Sequence, residues 1–140
     1  ADSDERKINR DRAIEVVKKN STAFIRMATS NLFNKVAHET FKVEIEAFIT
    51  QALKTPIQGI VASLEGMKIR MDREALLHFS PYPKLVIASE NDTIIPIDDI
   101  MEQLHQTEVT FERIPGGHVS TIEQSTSVAN LIFNFLKKNS

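Results

Sequence analysis

The sequence predicts an α/β protein in which helices come first and a parallel β-α-β-α unit comes last, and three observations predict it. Residues from Ile8 to Phe79 carry their apolar side chains at helical spacing only. The segment Ser80-Pro81-Tyr82-Pro83 ends that texture with a cluster of turn residues. Beyond it, two short apolar runs bounded by turn residues alternate with two amphipathic segments, the pattern of parallel strands and the helices that join them. The 140 residues suffice for one ordinary domain with its own core.

Each element has a local reason. Ala13, Ile14, Val16 and Val17 mark the first amphipathic helix. Ile45, Phe48, Ile49, Ala52 and Leu53 form a second stripe, and Ile57, Ile60, Val61, Leu64 and Met67 a third. Between these, Thr55-Pro56 predicts a stop and restart, with Thr55 as N-cap and Pro56 at the first helical position. Asp72 is expected to cap a short helix carrying Leu76 and Leu77. Lys84-Leu85-Val86-Ile87-Ala88 reads as a buried parallel strand. Pro96 then opens a helix with Ile97, Ile100, Met101 and Leu104 on one face, and Val109 to Ile114 forms the second strand. Pro115-Gly116-Gly117 breaks that strand. Ser120 and Glu123, in Ser-Thr-Ile-Glu, predict a capping box at the start of the last helix. That helix is expected to bury Val128, Leu131, Ile132, Phe135 and Leu136, with Lys137 and Lys138 against the negative end of its dipole. Two parallel strands and two helices cannot cover both faces of a sheet and close its edges. The apolar run therefore expects further strands beside it, from sequence upstream or from a partner chain.

Composition narrows the function. Hydrophobic residues make up 41% and charged residues 26%, a globular balance rather than a disordered one. The net charge of −2 argues against a nucleic-acid binder. Arg6, Lys7, Arg10 and Arg12 gather near the start, but Asp2, Asp4, Glu5 and Asp11 interleave with them into a mixed, solvated face. With no cysteine, disulfides, thiolate catalysis and cysteine-zinc sites are excluded. No apolar run approaches the roughly 20 residues of a membrane helix, and no signal peptide is visible. These features fit a cytoplasmic protein. The polar start at Ala1, without methionine, fits a chain cut from a longer one.

In open α/β sheets the functional residues lie in loops at the carboxyl ends of the strands. Two such loops exist: Ser89-Glu90-Asn91-Asp92-Thr93-Ile94-Ile95-Pro96 and Pro115-Gly116-Gly117-His118-Val119-Ser120. An acid after one strand and a histidine after the next project to the same edge. A carboxylate there fixes the imidazole tautomer and stabilises the imidazolium formed when a nucleophile loses its proton. Taken singly, Asp92 is equally a turn residue and His118 a loop residue; their succession after consecutive strands singles them out. Asp98 and Asp99 compete as acids, but dipole compensation in the first turn of a helix explains them. Glu90, Asp92, Asp98 and Asp99 have no histidine or further carboxylate at ligand spacing, so no metal is expected. His38, His78 and His105 fall in helical segments as surface or packing residues, and Phe24, Phe33, Phe41, Phe48 and Phe79 as core or pocket-lining groups.

Pro83 to Ile87, continuing through Asp92 to Pro96, resembles the strand, acid turn and proline of the α/β-hydrolases. Gly117-His118, followed by Ser120, Glu123 and an apolar helix ending Phe135-Leu136, resembles their histidine loop and final helix. Met67 to Asp72, with Arg70, resembles the exit from their helical cap. The resemblance implies a partial α/β-hydrolase fold, with a helical cap over residues 1–82 and the C-terminal part of the core over 83–140. It implies Asp92 as triad acid and His118 as general base, in a cofactor-free serine hydrolase of small esters, amides or related carbonyl compounds. The family's order is Ser, Asp, His, with the serine in a G-x-S-x-G elbow. No such motif occurs in these 140 residues, so the chain alone is expected to be inactive. Ser89 stands where the family usually has a glycine. Three other readings compete: a non-catalytic ligand-binding member of the fold, a module that self-associates through its strand edge, and a receiver-like domain with Asp92 as phospho-acceptor. The last lacks the upstream acidic pair that magnesium requires.

Overall fold

A computed structural model describes residues 1–139. Eight helices and two strands follow in the order α1 Asp4–Ser30, α2 Lys35–Thr40, α3 Lys42–Ala52, α4 Ile57–Ile69, α5 Ala75–Phe79, β1 Leu85–Ser89, α6 Ile97–Gln103, β2 Thr110–Ile114, α7 Ser120–Glu123 and α8 Ser125–Lys138. Helices precede a parallel β-α-β-α unit, as the apolar spacing requires. The elements form two compact units, one of Ala1–Asn31 with Lys42–Arg73, the other of Leu32–Phe41 with the chain from Glu74 onward.

The first unit packs α1 against α3 and α4. Its core is Ile14, Val17 and Leu64, with Ala13, Phe24, Ile60, Val61 and Met67 packed around it. Ile45 and Ile49 are buried from α3. Helix α1 is kinked at Asn20, whose non-helical backbone lets its side chain cap the following turn by accepting from the Ala23 amide at 3.0 Å. Asp2 has no side-chain surface exposed and binds Arg10 at 3.1 Å and Arg70 at 3.3 Å. The pairing ties the start of this unit to the end of α4. Two capping expectations shift here. Pro56, not Thr55, is the N-cap of α4: its extended backbone (φ −59°, ψ 146°) stays outside the helix while its carbonyl accepts from the Gly59 and Ile60 amides. Glu74, not Asp72, is the N-cap of α5 and makes no side-chain capping bond; the Asp72 carboxylate accepts from the amino group of Ala1 at 3.2 Å.

In the second unit, β1 and β2 pair in parallel, Leu85 opposite Thr110 through Ser89 opposite Ile114. Helices α6 and α8 pack on β1. Burial is greatest at the carboxyl ends of the strands, at Ala88, Ser89 and Ile114. Leu85, Val86 and Ile87 are only half-buried, because among the described residues the sheet has two strands and no third beside them. Two expectations for the chain's end are corrected. Gln124 leaves helical geometry (φ −135°, ψ 36°), so Ser120–Glu123 is a separate four-residue helix and α8 begins at Ser125. Ser120 makes no capping bond there. Of the apolar face of α8, Val128 is buried and Leu131 and Phe135 are half-buried, while Ile132 and Leu136 are exposed. No described helix is long and apolar enough to cross a membrane.

Candidate active site

The site is built from the two loops that leave the carboxyl ends of β1 and β2. Their backbones are stitched together before any side chain acts. The Glu90 amide donates to the Ile114 carbonyl and the Asn91 amide to the Gly116 carbonyl, each at 3.0 Å, extending the parallel ladder beyond both strands. The Asp92 amide turns back to the Ser89 carbonyl at 3.4 Å. Ser89 is the buried last residue of β1, and it needs no left-handed backbone: Gln106 is the one non-glycine with positive φ among the described residues. A serine therefore serves where the family usually has a glycine.

Asp92 divides its oxygens between two tasks. Oδ1 accepts from the amides of Ile94 at 2.8 Å and Ile95 at 2.9 Å, which sets the carboxylate's direction at the turn before α6. Oδ2 lies 2.9 Å from Nδ1 of His118. An ionised carboxylate only accepts, so the imidazole donates from Nδ1, and in the neutral ring Nε2 then carries the lone pair. The Asp92 side chain keeps 11% of its surface and His118 keeps 28%. Burial is the largest influence on the Asp92 carboxyl and opposes its ionisation. The Ile95 amide, His118 and the Ile94 amide together outweigh it and hold the group below its ordinary value.

The histidine loop turns at Gly116, whose φ of +109° favours glycine. The Gly117 amide then donates to Oε2 of Glu123 at 2.9 Å. Sequence reasoning placed Glu123 in a capping box with Ser120; the structure puts its carboxylate against the histidine loop instead. The Ser-x-x-Glu spacing does signal a carboxylate reaching backwards, but not how far.

The competing residues lie elsewhere. Asp98 and Asp99 occupy the exposed first turn of α6, and no described group of three potential ligands gathers to hold a metal. His38 meets the Phe33 ring edge-on, with centroids 6.2 Å apart. His78 sits 4.0 Å from Glu74, and His105 follows α6. Of the phenylalanines, Phe33 is buried and Phe24 and Phe41 are half-buried, whereas Phe48 and Phe79 are exposed.

Parallel strands with an acid turn after one and a histidine loop after the next, preceded by helices, make this the fold of a C-terminal portion of an α/β-hydrolase. The particular structures it is similar to are hydrolases. A thermophilic esterase from Thermogutta terrifontis, solved with malate bound, superposes with a TM-score of 0.89 at 29% identity, over 99% of this chain and 53% of its own. An esterase from Exiguobacterium antarcticum gives 0.78 at 15% identity, over 94% of this chain and 48% of its own. An α/β hydrolase from a Medee basin deep-sea metagenome library gives 0.72 at 20% identity, over 96% and 52%. The chain thus spans about half the length of the solved structures it matches. No family model and no curated protein matches its sequence.

Proposed function

We propose that this chain supplies the acid and the general base of a Ser-Asp-His hydrolase acting on small carboxylic esters or related carbonyl compounds. The hydrogen bond between Asp92 and His118 carries the reading. The likeness to a 29% identical esterase supports it. On the resemblance to the α/β-hydrolases, residues 1–82 are the helical cap and residues 83–140 the C-terminal part of the core.

In this reaction Nε2 of His118 takes the proton of a serine hydroxyl as the oxygen attacks the ester carbonyl. Asp92 stabilises the imidazolium so formed and keeps the ring in the tautomer that leaves Nε2 free. The imidazolium then protonates the departing alcohol. Next, the imidazole deprotonates the water that attacks the acyl-enzyme, and the acid and free serine are released. The serine and the donors for the oxyanion must come from outside these residues, which contain no G-x-S-x-G elbow.

Two assays test this. The purified 140-residue chain, offered p-nitrophenyl butyrate, should turn over no faster than its His118→Ala variant. Joined to a segment supplying strands and a serine elbow, the same residues should hydrolyse the ester. His118→Ala should then cost on the order of 10⁴-fold or more in kcat. Turnover by the isolated chain that disappears with His118→Ala would overturn the requirement for an outside nucleophile. A joined protein indifferent to His118 would overturn the base assignment.

A further inference from the structure

Glu123 is a half-buried acid beside the site that the proposed reaction does not use. Its Oε2 takes the Gly117 amide at 2.9 Å, while its Oε1 is buried and has no hydrogen-bond partner among the described residues. A buried oxygen without a partner is a cost that needs an explanation. Helix stabilisation is not one. Glu123 closes α7, a helix of only four residues, and its bond skips the N-cap Val119 to reach the amide immediately before His118.

The surroundings are shaped to that carboxylate. A Cβ at Gly117 would lie 2.9 Å from Glu123 Oε1, closer than such atoms approach. A Cβ at Gly116 would meet Gln124 Cγ at 3.4 Å and Glu123 Oε2 at 3.5 Å. Gly117 thus leaves room for the acid, whereas Gly116, where a Cβ would make only ordinary contacts, turns the chain. On the other side of His118, the Val119 carbonyl accepts from the amides of Ile122 and Glu123 at 2.9 and 3.0 Å. His118 is therefore held from both directions: by ordinary backbone bonds after it, and before it by a side chain that returns from six residues on. The Gly116 carbonyl, meanwhile, accepts from Asn91 in the acid turn. Displacing Gly117 would move the histidine relative to the carboxylate it must meet.

From this we infer that Glu123 is a positioning residue for His118, acting through the Gly117 amide to hold the imidazole in register with Asp92. The inference rests on the proposed acid–base role of that pair. It makes Glu123 part of the site's machinery without contact with substrate.

Proton NMR of the ¹⁵N-labelled 140-residue chain tests it with two readouts: the downfield Nδ1–H resonance of His118 and the exchange protection of the Gly117 amide. Glu123→Ala should speed Gly117 exchange by about tenfold or more, the loss of roughly one hydrogen bond. It should also broaden or abolish the His118 resonance, with the β2 amides still protected. Glu123→Gln, whose carbonyl oxygen can take the Gly117 amide, should restore both signals. Should Glu123→Ala fail to fold, Glu123→Leu fills much of the same space without an acceptor and carries the same expectation. A His118 resonance unchanged in these variants would overturn the inference, even with Gly117 exchange accelerated, since the bond would then be structural only. A parent chain with no such resonance would instead remove the Asp92–His118 pairing itself, and the inference with it.

Discussion

Asp92 shows how one side chain can be committed twice. Its two turn amides and its imidazole partner all favour the ionised form, so the folded-state pKa lies below the unfolded 3.8. The stability this contributes is complete above the unfolded value and is lost as pH falls through the folded one. Urea midpoints should therefore fall between about pH 5 and 2 more steeply for the parent chain than for Asp92→Asn. The asparagine keeps an oxygen for the Ile94 and Ile95 amides but loses the charge. Equal slopes would show that the carboxylate contributes nothing in that window. Gly116 makes a second prediction at this scale. At φ +109° a Cβ is strained, so Gly116→Ala should lower unfolding free energy by about 1–3 kcal/mol in chemical denaturation. The pairing of Asp92 with His118 was legible in the sequence because each follows a strand, and strands bounded by Pro83, Pro96 and Pro115 leave few alternatives. The amides of Ile94 and Ile95 were not, because a backbone donor has no letter of its own. Glu123 was visible as a residue that reaches backwards, but its target became visible only once the loop had folded back over it.

Among the elements, burial separates the helices sharply. Leu64 keeps 5% of its surface within the cluster of α1 and α4, whereas Phe133 on α8 keeps 65%. Leu64→Ala should cost about 2–5 kcal/mol of unfolding free energy. Phe133→Ala should stay within about 0.5 kcal/mol, though phenylalanine is the larger residue. Denaturation curves of the two variants decide it, and comparable losses would contradict the packing described. The periodicity of residues 8–79 gave the helices, but not their ends. Proline marked the boundaries at Pro56 and Pro96 to within a residue, because its ring fixes φ and removes a donor. Gln124, by contrast, breaks the final helix without any such signal, so that Ser-Thr-Ile-Glu and Ser-Thr-Ser each start a helix. The apolar face of α8 was equally legible as a pattern, yet what covers it is not written in the helix itself.

For the whole molecule, the half-buried strand β1 and the exposed Phe79, Tyr82, Phe133 and Leu136 set the expected solution behaviour. Among the described residues the two-stranded sheet has an open edge on each side, and such edges recruit other strands. Sedimentation velocity of the 140-residue chain should show a coefficient rising with concentration, and a constant monomeric value up to about millimolar would refute that. The same sheet has another consequence. The spacing of acid and histidine is written in main-chain bonds, from Glu90 to Ile114 and from Asn91 to Gly116, before the side chains of the exposed loop residues are consulted. The two loops, with Glu123 holding the second, amount to a transplantable cassette: a pair of adjacent parallel strands that accepts the register of Ser89 against Ile114 inherits the Asp92–His118 hydrogen bond already aligned.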